Sequence, residues 1–192
     1  MSTGKRLTAA DWTAAACAAL AGGGLAAVAV EPLAALLGTT KGSFYWHFTG
    51  RDALIAAALE QWERNGTEDV ITLVEAEPDP RDRLHALFRV AVGGHPGMPG
   101  GAGVELALQP SAGHPLVAPV LARVTRRRLG YLATLFADLG FDAEEARRRS
   151  LLGYTSYLGH AQLARATPDA VPSGPAIAGY VDAVVATLTR AR

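Results

Sequence analysis

The chain lacks most of what a disulfide-stapled, metal-binding or broadly polyanion-coating protein needs. Its single cysteine, Cys17, excludes an internal disulfide and gives no metal-ligand spacing. In an alanine-rich segment it reads as a small buried hydrophobe. Lysine is nearly absent, with two lysines against sixteen arginines, and acidic and basic side chains balance at 18 each. No global basic field therefore advertises a polyanionic partner, and any nucleic-acid contact must come from a few placed groups. No segment reaches ~18 uninterrupted apolar residues. The opening "MSTGKRLTAADW" has no signal-peptide core, so the expected location is the cytoplasm, with no membrane partner. β-branched runs are short while alanine is abundant, and the expected fold class is all-α.

The chemical motifs of enzymes are missing as well. There is no G-x-S-x-G, no phosphate-cradling glycine loop and no His-Glu-x-x-His. His85, His95, His114 and His160 fall at spacings that match no ligand motif, and no thiol or paired carboxylate joins them. Catalytic residues, a metal site and a cofactor are accordingly not expected.

Helix starts are what the sequence has in plenty. Thr8 precedes Asp11, Thr49 precedes Asp52, Asp79 precedes Asp82, and Asp142 precedes Glu145; each pairs a side-chain acceptor with an acid in the first turn. The expected helices run from Thr8 to Ala21, stopping at the "GGG" of Gly22 to Gly24, then Glu31–Leu37 with Pro32 in its first turn, and Thr40–Phe48. A fourth runs from Gly50 to about Glu77 and bends near Asn65 to Thr67. Pro80–Val92 follows, then a loop from Gly93 to Gly103. The later helices are Pro115–Leu139, Ala143–Ala166 and Gly174–Arg190. "RRR" at Arg126 to Arg128 and at Arg147 to Arg149 reads as two solvated faces.

One stretch resists a packing explanation. "GTTKGSFYWHF", Gly38 to Phe48, sets three aromatics, a histidine and a lysine together. Two short helices about Gly38-Thr39 fit a helix-turn-helix. On a helical wheel Phe44 and Phe48 share one side, while Gly42 and Trp46 stand opposite with Ser43 and Tyr45 beside them. Two phenylalanines thus anchor the helix and a donor-rich, glycine-cleared face turns outward, a combination suited to DNA phosphates.

"LAALLGTTKGSFYWHFTGRDALIAAAL", Leu33 to Leu59, resembles the signature of TetR-type (tetracycline-repressor-like) bacterial transcriptional regulators, through Leu33, Ala34, Gly38, Thr40, Lys41, Gly42, Ser43, Tyr45, His47, Phe48 and Arg51. The resemblance spans about residues 8 to 60. It implies a helix-turn-helix DNA-binding domain at 1–50, a helical effector-binding and dimerisation domain at 51–192, and a homodimer on a palindromic operator. It also implies DNA contacts from Thr40, Lys41, Gly42, Ser43, Tyr45, Trp46, His47 and Arg51. The chain departs from the pattern where Ala29, Val30 and Glu31 replace a helix cap and a frequent arginine, and where Trp46 replaces a more usual histidine.

Between helices of the second domain, the expected effector-pocket lining is Trp62, His85, Phe88, Val92, Met98, Tyr131, Tyr154 and Leu158, around a small apolar or aromatic effector. Trp12 and Trp62 also read as packing residues. The expected dimer surface joins Gly153, Ser156 and Gly159 to the stripe of Ile177, Val181, Val184 and Leu188, as a four-helix bundle about a two-fold axis. Together these give a ligand-responsive repressor released by its effector. The alternative is a helical small-molecule-binding or enzyme-like protein with a vestigial helix-turn-helix.

Overall fold

A computed structural model describes residues 7–93 and 101–190, and among them every regular element is helical. Helix α1, Ala9–Ala27, opens on a capping box: the Asp11 amide donates to Thr8 Oγ1, and the Thr8 amide donates to Asp11 Oδ2 at 2.7 Å. It does not stop at the glycine triplet. It kinks at Gly23 and Gly24, where Gly24 has φ 64°, and helical residues resume to Ala27. A Cβ on Gly24 would stand 2.6 Å from the Ala107 carbonyl oxygen, so glycine is demanded twice, by conformation and by close approach.

Helices α2 (Val30–Leu36) and α3 (Lys41–Phe44) follow, the turn between them carrying Gly38 at φ 65°. Ala29 gives α2 no side-chain cap, whereas Thr40 Oγ1 accepts from the Ser43 amide of α3. The third helix is shorter than its expected Thr40–Phe48, because the chain tightens into turns after Phe44. Helix α4, Arg51–Glu63, is capped from Gly50 without any side-chain bond, so Thr49 is not its cap. The expected bend is a π-helical turn at Arg64–Glu68, continued by α5, Asp69–Val74.

Asp79 Oδ1 accepts from the Arg81 amide at 2.7 Å at the start of α6, Pro80–Gly93. Helix α7 occupies Gly101–Leu108, so the expected loop of Gly93 to Gly103 is shorter at both ends, and its centre lies outside the described residues. Helices α8 (Ala118–Asp138), α9 (Ala143–Ala166) and α10 (Ala176–Thr189) complete the fold. Asp142 caps α9 by accepting from the Glu144 and Glu145 amides, both at 2.9 Å.

Two apolar cores form among the described residues. The first joins Trp12, Leu20, Leu33, Phe44, Leu54 and Leu59 of the N-terminal helices to Val104, Leu108 and Val124 of α7 and α8. The second joins Val74, Leu84, Phe88, Leu135, Tyr157, Val181 and Val185. Full burial of each such side chain contributes about 1.5–3 kcal/mol. Helix α8 runs through both cores, and α7 rests on α1.

Candidate nucleic-acid interface and sensor core

The outward face of the helix-turn-helix rests on a stack of rings. Phe44 is fully buried, meets Trp12 edge-on at 5.3 Å between centroids, and stacks on Phe48 at 5.6 Å. The His47 and Phe48 amides both donate to the Phe44 carbonyl, at 2.9 and 3.0 Å. That turn keeps Phe48 beneath Phe44 although regular helix has ended. The opposite side is open: Trp46 is 84% exposed and Tyr45 56%. Thr40, Lys41, Gly42 and Arg51 are exposed, while Ser43 and His47 are half-buried. A Cβ on Gly42 would meet only Thr40 Oγ1, at 3.6 Å, an ordinary contact. The chain's own packing therefore does not require glycine there.

The two cations on this face are already engaged. Lys41 donates to Glu31 of α2, a bond that holds the Glu31 carboxyl below and the Lys41 ammonium above their ordinary pKa values. Arg51 donates through Nε to the Val28 carbonyl at 2.6 Å and through Nη2 to the Leu25 carbonyl. Though exposed, its guanidinium caps the end of α1. Leu36 of α2, 72% exposed, is an apolar neighbour that sequence reasoning passed over.

In the second half, the expected pocket residues divide between the two cores, Trp62 in the first and Phe88, Tyr131 and Tyr154 in the second. Phe88 and Tyr131 lie buried in the second core, with Tyr131 donating to Glu75 Oε1 at 2.7 Å. Burial, then that bond, pushes the Tyr131 hydroxyl well above its usual range. His85 Nδ1 sits 3.3 Å from Asp182 Oδ1, and Val92 and Leu158 are half-buried. Met98 lies outside the described residues.

Trp62 and Tyr154 are linked through two groups that sequence reasoning missed, Glu105 and Arg128. Glu105 of α7 is 1% exposed, yet it receives bonds from Arg128 Nη1 at 2.6 Å, Tyr157 Oη at 3.2 Å and Tyr154 Oη. Arg128 also donates to Thr67 Oγ1 at 3.0 Å and the Gly66 carbonyl at 2.9 Å, with its guanidinium carbon 5.5 Å from the Trp62 ring centre. Burial chiefly, with the Glu105 charge, raises the Tyr154 hydroxyl to about 12. Arg128 is thus no part of a solvated face; it bonds the π-helical turn to α7. Its neighbour Arg127 does stay half-exposed, in a two-pronged pair with Glu68 at 3.1 Å. A single arginine in a triplet announces none of this, because its partners lie far along the chain.

The second triplet divides in the same way. Arg147 and Arg148 are exposed, but Arg149 is buried. It donates to Glu145 at 2.8 Å, to the Arg190 carbonyl at 3.0 Å and to the Leu188 carbonyl, with its guanidinium carbon 3.9 Å from the Phe141 ring centre.

Several expected dimer residues also face inward. Val181 and Leu188 are buried in the second core, with Ile177 and Val184 packed against it. A Cβ on Gly153 would stand 3.1 Å from Phe88 Cζ, so that glycine admits an internal ring. The stripe on α10 closes on α6 of its own chain. Ser156 and Gly159 do face outward, in line with Leu152 and Leu163 at helical spacing. Gly179, Ala183 and Ala186 are exposed on α10.

This architecture, a helix-turn-helix unit fused to a larger helical body, is shared with known proteins. Residues 13–58 match the family described as bacterial regulatory proteins, tetR family. A transcriptional regulator from Rhodococcus sp. Rha1 superimposes with a TM-score of 0.78 at 21% identity, covering 95% of this chain and 96% of that one. A TetR-family transcriptional regulator from Agrobacterium tumefaciens gives 0.75 at 16%, covering 94% and 95%. The multidrug binding protein EbrR complexed with imidazole gives 0.60 at 24%, covering 96% of each chain. No curated protein matches the sequence significantly. The fold and the outward aromatic face define a protein of the helix-turn-helix class. The similarity to the tetR family rests on residues 13–58, and the solved structures share the fold over nearly the whole chain.

Proposed function

We propose that the protein is a homodimeric, ligand-responsive transcriptional repressor that reads a palindromic operator through Thr40, Lys41, Gly42, Ser43, Tyr45, Trp46, His47 and Arg51. The observation that carries this reading is the exposure of Tyr45 and Trp46 above a buried Phe44. An isolated domain gains nothing by holding an indole in water, whereas a phenol, an indole N–H and a bare Gly42 suit close approach to a duplex backbone. Residues 1–50 act as the reader and 51–192 as the effector-binding and dimerisation part. In the dimer the two reader helices lie about 34 Å apart, one turn of B-DNA.

The dimer surface in this reading is the outward side of α9 and α10, with Leu152, Ser156, Gly159 and Leu163 facing Gly179 and Ala183. The small residues allow close helix approach, and a two-fold axis makes the surface self-complementary. The effector is a small apolar or aromatic molecule bound between the helices of this part, with Trp62 of α4, Phe88 of α6 and Tyr154 of α9 as candidate lining. It acts by favouring a reader separation that mismatches the operator. Among the similar structures, the multidrug binding protein EbrR holds imidazole, a small ring compound, which supports an effector of this kind.

Selection of protein-bound random duplexes tests the reading. It should recover a palindrome, and Tyr45→Ala should weaken binding to that palindrome by ~10-fold, one phosphate or base contact per protomer. Equal binding by Tyr45→Ala and wild type in a gel-shift titration would refute the assignment of this face.

A further inference from the structure

Among the described residues up to the start of α4, the lysine and arginine side chains are Lys41 and Arg51, and each is spent on the protein itself. Arg51 holds the carbonyls of Val28 and Leu25. Lys41 donates to Glu31, an acid on the neighbouring helix whose side chain is 63% exposed. Glu31 lies in the first turn of α2, where an acid suits the helix dipole and its carboxylate also accepts from its own backbone amide. Beyond that local role its side chain reaches across to Lys41 of α3.

Building on the DNA-binding reading above, we infer that Glu31 is a positioning and specificity-determining residue: it cancels the Lys41 charge and so suppresses binding to duplex of arbitrary sequence. The physical basis is the difference between the two kinds of binding. Association with arbitrary duplex is driven by phosphate neutralisation and counterion release, with each neutralised phosphate contributing a fixed increment to the salt slope. A lysine already paired with a carboxylate releases no net counterion. Its partner acid, brought near the backbone, is repelled by the phosphates. Binding to the operator keeps the contacts of Tyr45, Trp46 and Ser43, which do not depend on net charge. The loss therefore falls mostly on arbitrary duplex, and the ratio between the two affinities rises. Zero formal net charge, together with the engagement of Lys41 and Arg51 among the described residues, is consistent with selection by shape and hydrogen bonding over charge.

The test measures the affinity of wild type, Glu31→Gln, and Glu31→Gln with Lys41→Gln as a function of salt. The probes are the selected palindrome and a short mixed-sequence duplex. Glu31→Gln should bind the mixed duplex about two- to fivefold more tightly, in keeping with an exposed charge pair. Its salt slope should steepen by ~0.9 per protomer, one regained phosphate. Adding Lys41→Gln should return both quantities to wild-type values, since the effect runs through Lys41. Mixed-duplex affinity and slope unchanged in Glu31→Gln would overturn the inference while leaving the DNA-binding reading intact. It would also be overturned if Glu31→Gln weakened binding only at one base pair of the palindrome with an unmoved slope, because the carboxylate would then be accepting from a cytosine amine. Wild-type protein that binds neither probe overturns the functional reading and this inference with it.

Discussion

At the residue scale, Glu105 is the charged centre of the contact between α7, α8 and α9. Its carboxylate accepts from Arg128, Tyr154 and Tyr157 while almost wholly removed from water. Burying both members of an ion pair gains little net stability over apolar packing, but removing one member leaves the other charge buried and unpaired. Glu105→Ala is therefore expected to cost about 3–5 kcal/mol. Tyr157→Phe, which removes one neutral donor among three, should cost about 1 kcal/mol. Urea unfolding midpoints measure both, and a Glu105→Ala loss no larger than that of Tyr157→Phe would show that the acid is not holding Arg128. Because Arg128 also bonds Gly66 and Thr67, the same substitution should loosen the π-helical turn that joins α4 to α5.

At the element scale, local chemistry and long-range contact part company. The caps of α1, α6 and α9 were legible because Thr8, Asp79 and Asp142 bond to amides two or three residues away. The inward placement of Phe44 and Phe48 followed from helical spacing alone, even though α3 ends early. The glycine triplet was misleading because its meaning is set by Ala107, which is distant in sequence and adjacent in space. Arg128 and Arg149 were illegible for the same reason, since their partners lie on other helices. The triplet itself offers a contrast. A Cβ added to Gly22 would meet nothing within 4 Å, and the residue sits in regular helix, so Gly22→Ala should stabilise by about 0.5–1 kcal/mol. Gly24 is at φ 64° against a carbonyl, so Gly24→Ala should destabilise by about 2 kcal/mol or more. Thermal unfolding of the two variants should shift in opposite directions, and a shared sign would contradict the kink geometry.

At the scale of the whole molecule, the outer face of α9 sets the predicted assembly. Leu151, Leu152 and Leu163 are about half exposed, on a helix whose opposite side fills the second core. In the proposed dimer Leu152 and Leu163 are covered, and Leu152→Glu should yield monomers at concentrations where wild type sediments as a dimer, without loss of helicity. Val181→Glu should instead unfold the chain, since Val181 is 1% exposed. Sedimentation velocity with circular dichroism separates these outcomes; a dimeric Leu152→Glu protein would move the interface elsewhere. The outward placement of Tyr45 and Trp46 was legible from helical spacing, whereas the division of α9 and α10 into inner and outer sides depends on α6, which periodicity does not reveal.

The final turn of α10 is clasped by Arg149, which reaches from α9 to the carbonyls of Leu188 and Arg190. Cutting the chain after Val185 would strand a guanidinium between Phe141 and Glu145 with its main-chain acceptors gone. Those last residues behave as a buckle on the bundle, and the polypeptide cannot be trimmed there as though they were spare tail.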